Sequence, residues 1–133
     1  RLAAEDRGEL RDLRITDLAS QASAQTLSQA PPATAAAEAF DAMGSSRVEA
    51  SQQAYDYLAA GGDPQSIVDH ARRLVFLKGD YSHDYKFSSA ALEDYRGMSP
   101  QWRNRFLAAS MVQLCSPHQA TRPLVQRIVG ALS

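Results

Sequence analysis

The sequence is poor in the residues that usually declare a chemistry. Cys115 is the only cysteine in 133 residues, which excludes an intrachain disulfide and a closed, cysteine-based zinc site. A reducing, cytoplasmic setting is therefore expected. No apolar run approaches the roughly 18 residues a membrane span needs, and the first residues lack the charged-then-apolar pattern of a signal peptide, so no membrane partner is expected. There is no glycine-rich phosphate loop, no G-x-S-x-G elbow, no H-E-x-x-H run and no paired-Asp motif, which leaves nucleotide binding, serine hydrolysis, metal and cofactor without a carrier. Aromatic residues make up 8% of the chain. Alanine supplies much of the 44% apolar content, so a core of closely approaching helices is expected rather than one of interlocked rings.

Acid is missing from one part of the chain. Residues 1–94 hold nine basic and fifteen acidic groups, whereas residues 95–133 hold Arg96, Arg103, Arg105, Arg122 and Arg127 and no Asp or Glu. The plain reading is that the two parts attract each other within one fold; the sharper one is a basic surface for an acidic partner. Five arginines without interleaved aromatics are a weak nucleic-acid signature, and with a net charge of −1 no nucleic-acid partner is expected. The chain opens on Arg1 rather than Met, which reads as a piece of something longer.

What is present is helical periodicity cut by breaks. Residues 1–28 comprise an amphipathic helix with Leu2, Leu10, Leu13 and Leu18 among mixed charges, then a Ser/Gln/Ala-rich segment. Pro31 and Pro32 place a linker at 29–33, because neither ring nitrogen can donate a hydrogen bond. Residues 34–133 form the expected helical domain. Its helices are Thr34–Met43, one from Ser46 to Ala60, one from the Asp63–Pro64 start to Lys78, one over 82–95 ended by Gly97, Gln101–Leu114 after the Ser99–Pro100 signal, and Thr121–Leu132. The short Gly61–Asp63 loop predicts that its two helices form an antiparallel hairpin. The fold class is thus all-α, antiparallel helical hairpins in a bundle of about five to six helices.

Chemistry is sought first in "DYSHDYKFSSAALEDY", residues 80–95. On a helix His83, Lys86, Ala90 and Glu93 share a stripe, since offsets of three, four and seven return to one side. A neutral imidazole can act as base and an ammonium can steady a developing anion, so His83, Lys86 and Glu93 are the candidate catalytic set. Tyr85, Phe87 and Trp102, within an aromatic run that includes Tyr81, Tyr95 and Phe106, are the candidate substrate wall and core centre. The plainer reading is a solvated charged stripe with Lys86 paired to Glu93 or Asp94. His70 falls at the edge of an apolar face and reads as a core-edge histidine; a metal site joining it to His83 with Asp69 or Asp84 has no recognised spacing. Cys115 and His118 straddle a helix break, which does not set up an activated thiolate.

The segments "SHDYKFSSAALEDY" and "SPQWRNRFLAAS" resemble the C-terminal part of the questin oxidase-like proteins, through His83, Lys86, Ala90 or Ala91, Glu93 and Leu107–Ala108–Ala109. The resemblance covers residues 80–110 and implies oxidative ring opening of an aromatic polyketide. Two functions are therefore expected to compete. One is a helical interaction or assembly domain, without independent catalysis, whose partners are other protein segments or subunits. The other is an oxidoreductase-type enzyme region in which His83, Lys86 and Glu93 act on a small aromatic substrate.

Overall fold

A computed structural model describes residues 32–79 and 82–133. The expected amphipathic segment 1–28, most of the linker at 29–33, and Asp80 and Tyr81 lie outside the described residues. Among the described residues six α-helices follow one another: α1 Pro32–Asp41, then a 3-10 turn at Ala42–Gly44; α2 Arg47–Ala59; α3 Pro64–Lys78; α4 Ser82–Gly97; α5 Pro100–Ser110; and α6 Pro123–Leu132. The described residues contain no strand, and the fold is the expected all-α bundle.

The starts of the helices follow local chemistry. The Ser46 hydroxyl accepts from the Glu49 amide at 3.2 Å at the head of α2. The Asp63 carboxylate accepts from the Gln65 amide at 3.0 Å, with Pro64 behind it at the first position of α3. α1 begins two residues earlier than expected, on Pro32 itself, because a proline at a first helical position gives up only an N–H that has no intrahelical partner. α5 ends at Ser110 instead of running to Leu114. Met111, Val112 and Gln113 bond back to the carbonyls three residues earlier, which tightens the chain into a turn.

Five of the helices close a ring. α1 packs on α2 and on α3, α2 on α5, α5 on α4, and α4 back on α3. The two helices joined by Gly61–Asp63 pack less on each other than each packs on α1, so the tight hairpin predicted from the short loop is replaced by a pairing through a third helix. Inside the ring lie Phe40, Ala54, Leu58, Ile67, Ala71, Leu74, Leu92, Leu107, Ala108 and Met111, with Leu114 and Cys115 from the turn after α5. The largest fully enclosed side chains are Phe40, Ile67, Leu107, Met111 and Leu114. The core is therefore not centred on the aromatic run: Tyr95 is buried and Phe106 partly so, but Tyr85, Phe87 and Trp102 reach the surface. α5 turns Leu107 and Ala108 inward, with Met111 just after it, and Trp102 outward.

α6 stands outside the ring. A backbone bond of 3.0 Å from the Arg122 amide to the Leu77 carbonyl and one of 3.0 Å from Lys78 Nζ to Thr121 Oγ1 anchor its start to the end of α3.

Candidate functional site

The faces of α4 decide where its polar stripe goes. Ser88, Ala91, Leu92 and Tyr95 recur at helical spacing and are buried. His83, Lys86, Ala90 and Glu93 lie on the opposite side and are all exposed to solvent. The stripe exists as one face of one helix, but it opens outward. Asp84, four residues before Ser88 on the inner face, is half-buried and near enough to the turn after α5 to influence Cys115.

The aromatic candidates are used as supports. The Tyr85 hydroxyl donates to the Gly79 carbonyl at 3.1 Å and accepts from Arg122 Nη1, and the Arg122 guanidinium also stands 5.7 Å from the Tyr85 ring centroid. Tyr85 thus ties together the end of α3, the start of α4 and the approach to α6. Trp102 belongs to a different side of the bundle, where Arg105 lies 5.7 Å from its centroid and 5.5 Å from that of Tyr55 on α2. Arg103 lies over Tyr95 at 5.7 Å while its Nη2 donates to the Met98 carbonyl at 3.1 Å. Phe87 is exposed on α4.

The two other histidines are occupied elsewhere. His70 packs its ring at 4.7 Å and 38° on Phe40. Burial holds its pKa below the usual imidazole range, Arg73 adds to the fall and Asp41 opposes it. It is the core-edge histidine that its position beside Ile67 and Leu74 suggests. His118 Nε2 lies 2.9 Å from the Asp41 carbonyl, an oxygen that only accepts, so this nitrogen carries the proton. Its ring also covers Gly44, where a Cβ would come within 2.8 Å of Nε2. Cys115 is buried, and burial pushes its thiol up to about 11, with Asp84 adding to the rise and Arg47 opposing it. A thiol so placed is not an activated nucleophile. Among the described residues no three His, Cys, Asp or Glu side chains are grouped to hold a metal ion.

One polar hub escaped the sequence reading. Arg47, the first residue of α2, sends Nη1 across the bundle to the carbonyls of Leu114 at 2.9 Å, Val112 at 3.2 Å and Met111 at 3.5 Å. The guanidinium thus satisfies carbonyls of the turn that follows α5, just beyond the end of that helix, where the helix dipole also favours a cation. No spacing could have signalled it, because the partners are 64–67 residues away.

The surface that departs most from a folded interior is α6. Leu124, Val125, Ile128, Val129 and Leu132 form a broad apolar face. Only Val125 is buried, at 9% exposure; Leu124, Ile128, Val129 and Leu132 remain 46%, 48%, 60% and 84% exposed. Such an amphipathic pattern is that of a helix that docks, but among the described residues its face is left open. Arg127, on the edge of that face, has no carboxylate within ion-pair reach among the described residues.

Among the described residues no helix is long and apolar enough to cross a membrane. No family model, curated protein or solved structure matches the chain. The likeness of residues 80–110 to the questin oxidase-like proteins therefore stands on those residues alone.

Proposed function

We propose that the chain is a helical interaction or assembly module whose contact surface is the outer face of α6, working with other protein segments or subunits in the cytoplasm. The observation that carries this is the exposure of Leu124, Ile128, Val129 and Leu132 on one side of a helix attached to the ring at its start. They leave on the order of 400 Å² of apolar surface open, the size at which a patch on a monomer is commonly a contact surface. The oxidoreductase-type reading has less support, because His83, Lys86 and Glu93 project from the open side of α4 and Trp102 stands beside Tyr55 on another side of the bundle.

The double variant Ile128→Ser/Leu132→Ser tests the reading. For a spare contact surface, its urea midpoint matches that of the parent protein, while binding of an apolar dye to the native state falls. A loss of more than about 1 kcal/mol of stability would make the face part of the domain's own core, and the proposal would fail.

A further inference from the structure

We propose that the occupant of the α6 face is an acidic amphipathic helix of another protein segment. This rests on α6 being an outward contact surface and adds the shape and charge of what covers it.

Shape comes from the ridge. Leu124, Ile128 and Leu132 follow one another at i, i+4 and i+8, with Val125 and Val129 beside them. Over ten residues, about 15 Å, this is a ridge-and-groove surface that matches another helix better than an extended strand. Sign comes from the flank. Arg127 borders the face without a carboxylate partner among the described residues, and no acid occurs anywhere in residues 95–133. An incoming helix with Glu or Asp beside its apolar stripe would meet a cation and no anion of this segment.

The same facts weigh against a second copy. The midpoint of Pro123–Leu132 falls between Arg127 and Ile128, so an antiparallel two-fold pairing of α6 about that point sets Arg127 beside Arg127 of the mate.

The experiment uses the full chain and three labelled peptides read by fluorescence anisotropy: a designed helix with a Leu/Ile stripe flanked by Glu, the same stripe flanked by Lys, and residues 2–20 of this chain. The Glu-flanked helix should bind at least about tenfold more tightly than the Lys-flanked one, and should weaken as salt is raised. Ile128→Asp should abolish that binding, and Arg127→Glu should invert the order of the two designed peptides. Circular dichroism of both variants should match the parent, since both positions are exposed. Equal binding of both designed peptides, lost together in Ile128→Asp, overturns the acidic occupant but leaves the contact surface standing. Self-association of the parent protein that Ile128→Asp removes does the same, in favour of a second copy. Tight binding of peptide 2–20 with none of the Glu-flanked helix makes the face a seat for the chain's own segment and also overturns the proposal. A monomer that binds none of the three overturns both the inference and the reading beneath it.

Discussion

Replacing Arg47 by Met should destabilise the bundle by roughly 2–4 kcal/mol. The methionine keeps most of the aliphatic stem, so what is removed is the guanidinium and its bonds to the turn after α5. A hydrogen bond from a charged donor contributes about 1.5–3 kcal/mol. The bonds to Leu114 and Val112, at 2.9 and 3.2 Å, are good ones, while that to Met111, at 3.5 Å, is at the limit. All three come from a single nitrogen and cannot be added in full. The dipole of α5 contributes a further few tenths to 1 kcal/mol, which keeps the total near the stated range. For a domain whose whole stability is about 5–15 kcal/mol this is a large fraction. Urea unfolding followed by far-ultraviolet circular dichroism should show a lower midpoint at unchanged slope. Arg47→Lys should recover part of the loss, because an ammonium on a shorter stem reaches fewer of these carbonyls. A loss below about 0.5 kcal/mol in Arg47→Met, or equal losses in the two variants, would refute the assignment of Arg47 as the cap that joins α2 to α5.

The loop between α2 and α3 supplies a contrast between neighbours. A Cβ on Gly62 would lie 2.5 Å from the Tyr57 ring, which is pinned by its hydroxyl bond to the Asp63 carbonyl at 3.1 Å, so Gly62→Ala should cost about 1–3 kcal/mol in chemical denaturation. Gly61 has a φ of +88° and open space around it, so Gly61→Asn should cost less than Gly62→Ala; the reverse order would contradict the packing. Because the pKa of His70 is lowered on folding from 6.5, the unfolded chain binds its proton first, and stability should decline as pH falls below 6.5 toward the lower folded value. His70→Gln should flatten that part of the acid limb in unfolding experiments from pH 7 to 5; an unchanged limb would remove His70 as its cause. Cys115, raised from 9.0 to about 11, contributes stability below pH 9 that is lost as pH rises through 11, on the order of 2–3 kcal/mol. At pH 7.5 the native thiol should react with a disulfide reagent at least about a hundredfold more slowly than in urea, and comparable rates would place Cys115 outside the core.

The helix starts were legible because their causes are local. Ser46, Asp63–Pro64 and Ser99–Pro100 mark a boundary within three residues of themselves, and each starts a helix where the pattern puts it. Which face of a helix turns inward was less legible, since that depends on what lies beside it. On α5 the apolar residues cover most of the circumference, and only the placement of α2 and α4 selects Leu107 and Met111 over Trp102. On α4 the polar stripe was correctly grouped on one side, but His83 and Glu93 could be assigned to pocket or solvent only once Ser88, Ala91, Leu92 and Tyr95 were seen to take the inner face. Arg47 was invisible for the opposite reason: its partners are backbone carbonyls, which carry no sequence identity.

The arginines of the acid-free segment show how charge can be retained without direct neutralisation. Arg103 and Arg122 place their guanidinium groups over tyrosine rings and donate to oxygens that bear no formal charge, the Met98 carbonyl and the Tyr85 hydroxyl. Such contacts hold the side chain in place and leave its charge largely unspent, because a ring quadrupole and a carbonyl dipole offset a cation far less than a carboxylate does. Residues 95–133, with five arginines and no Asp or Glu, therefore keep a net positive charge. On the reading proposed for the α6 face, acidic helices should then associate faster than basic ones, and the difference should shrink as salt is raised.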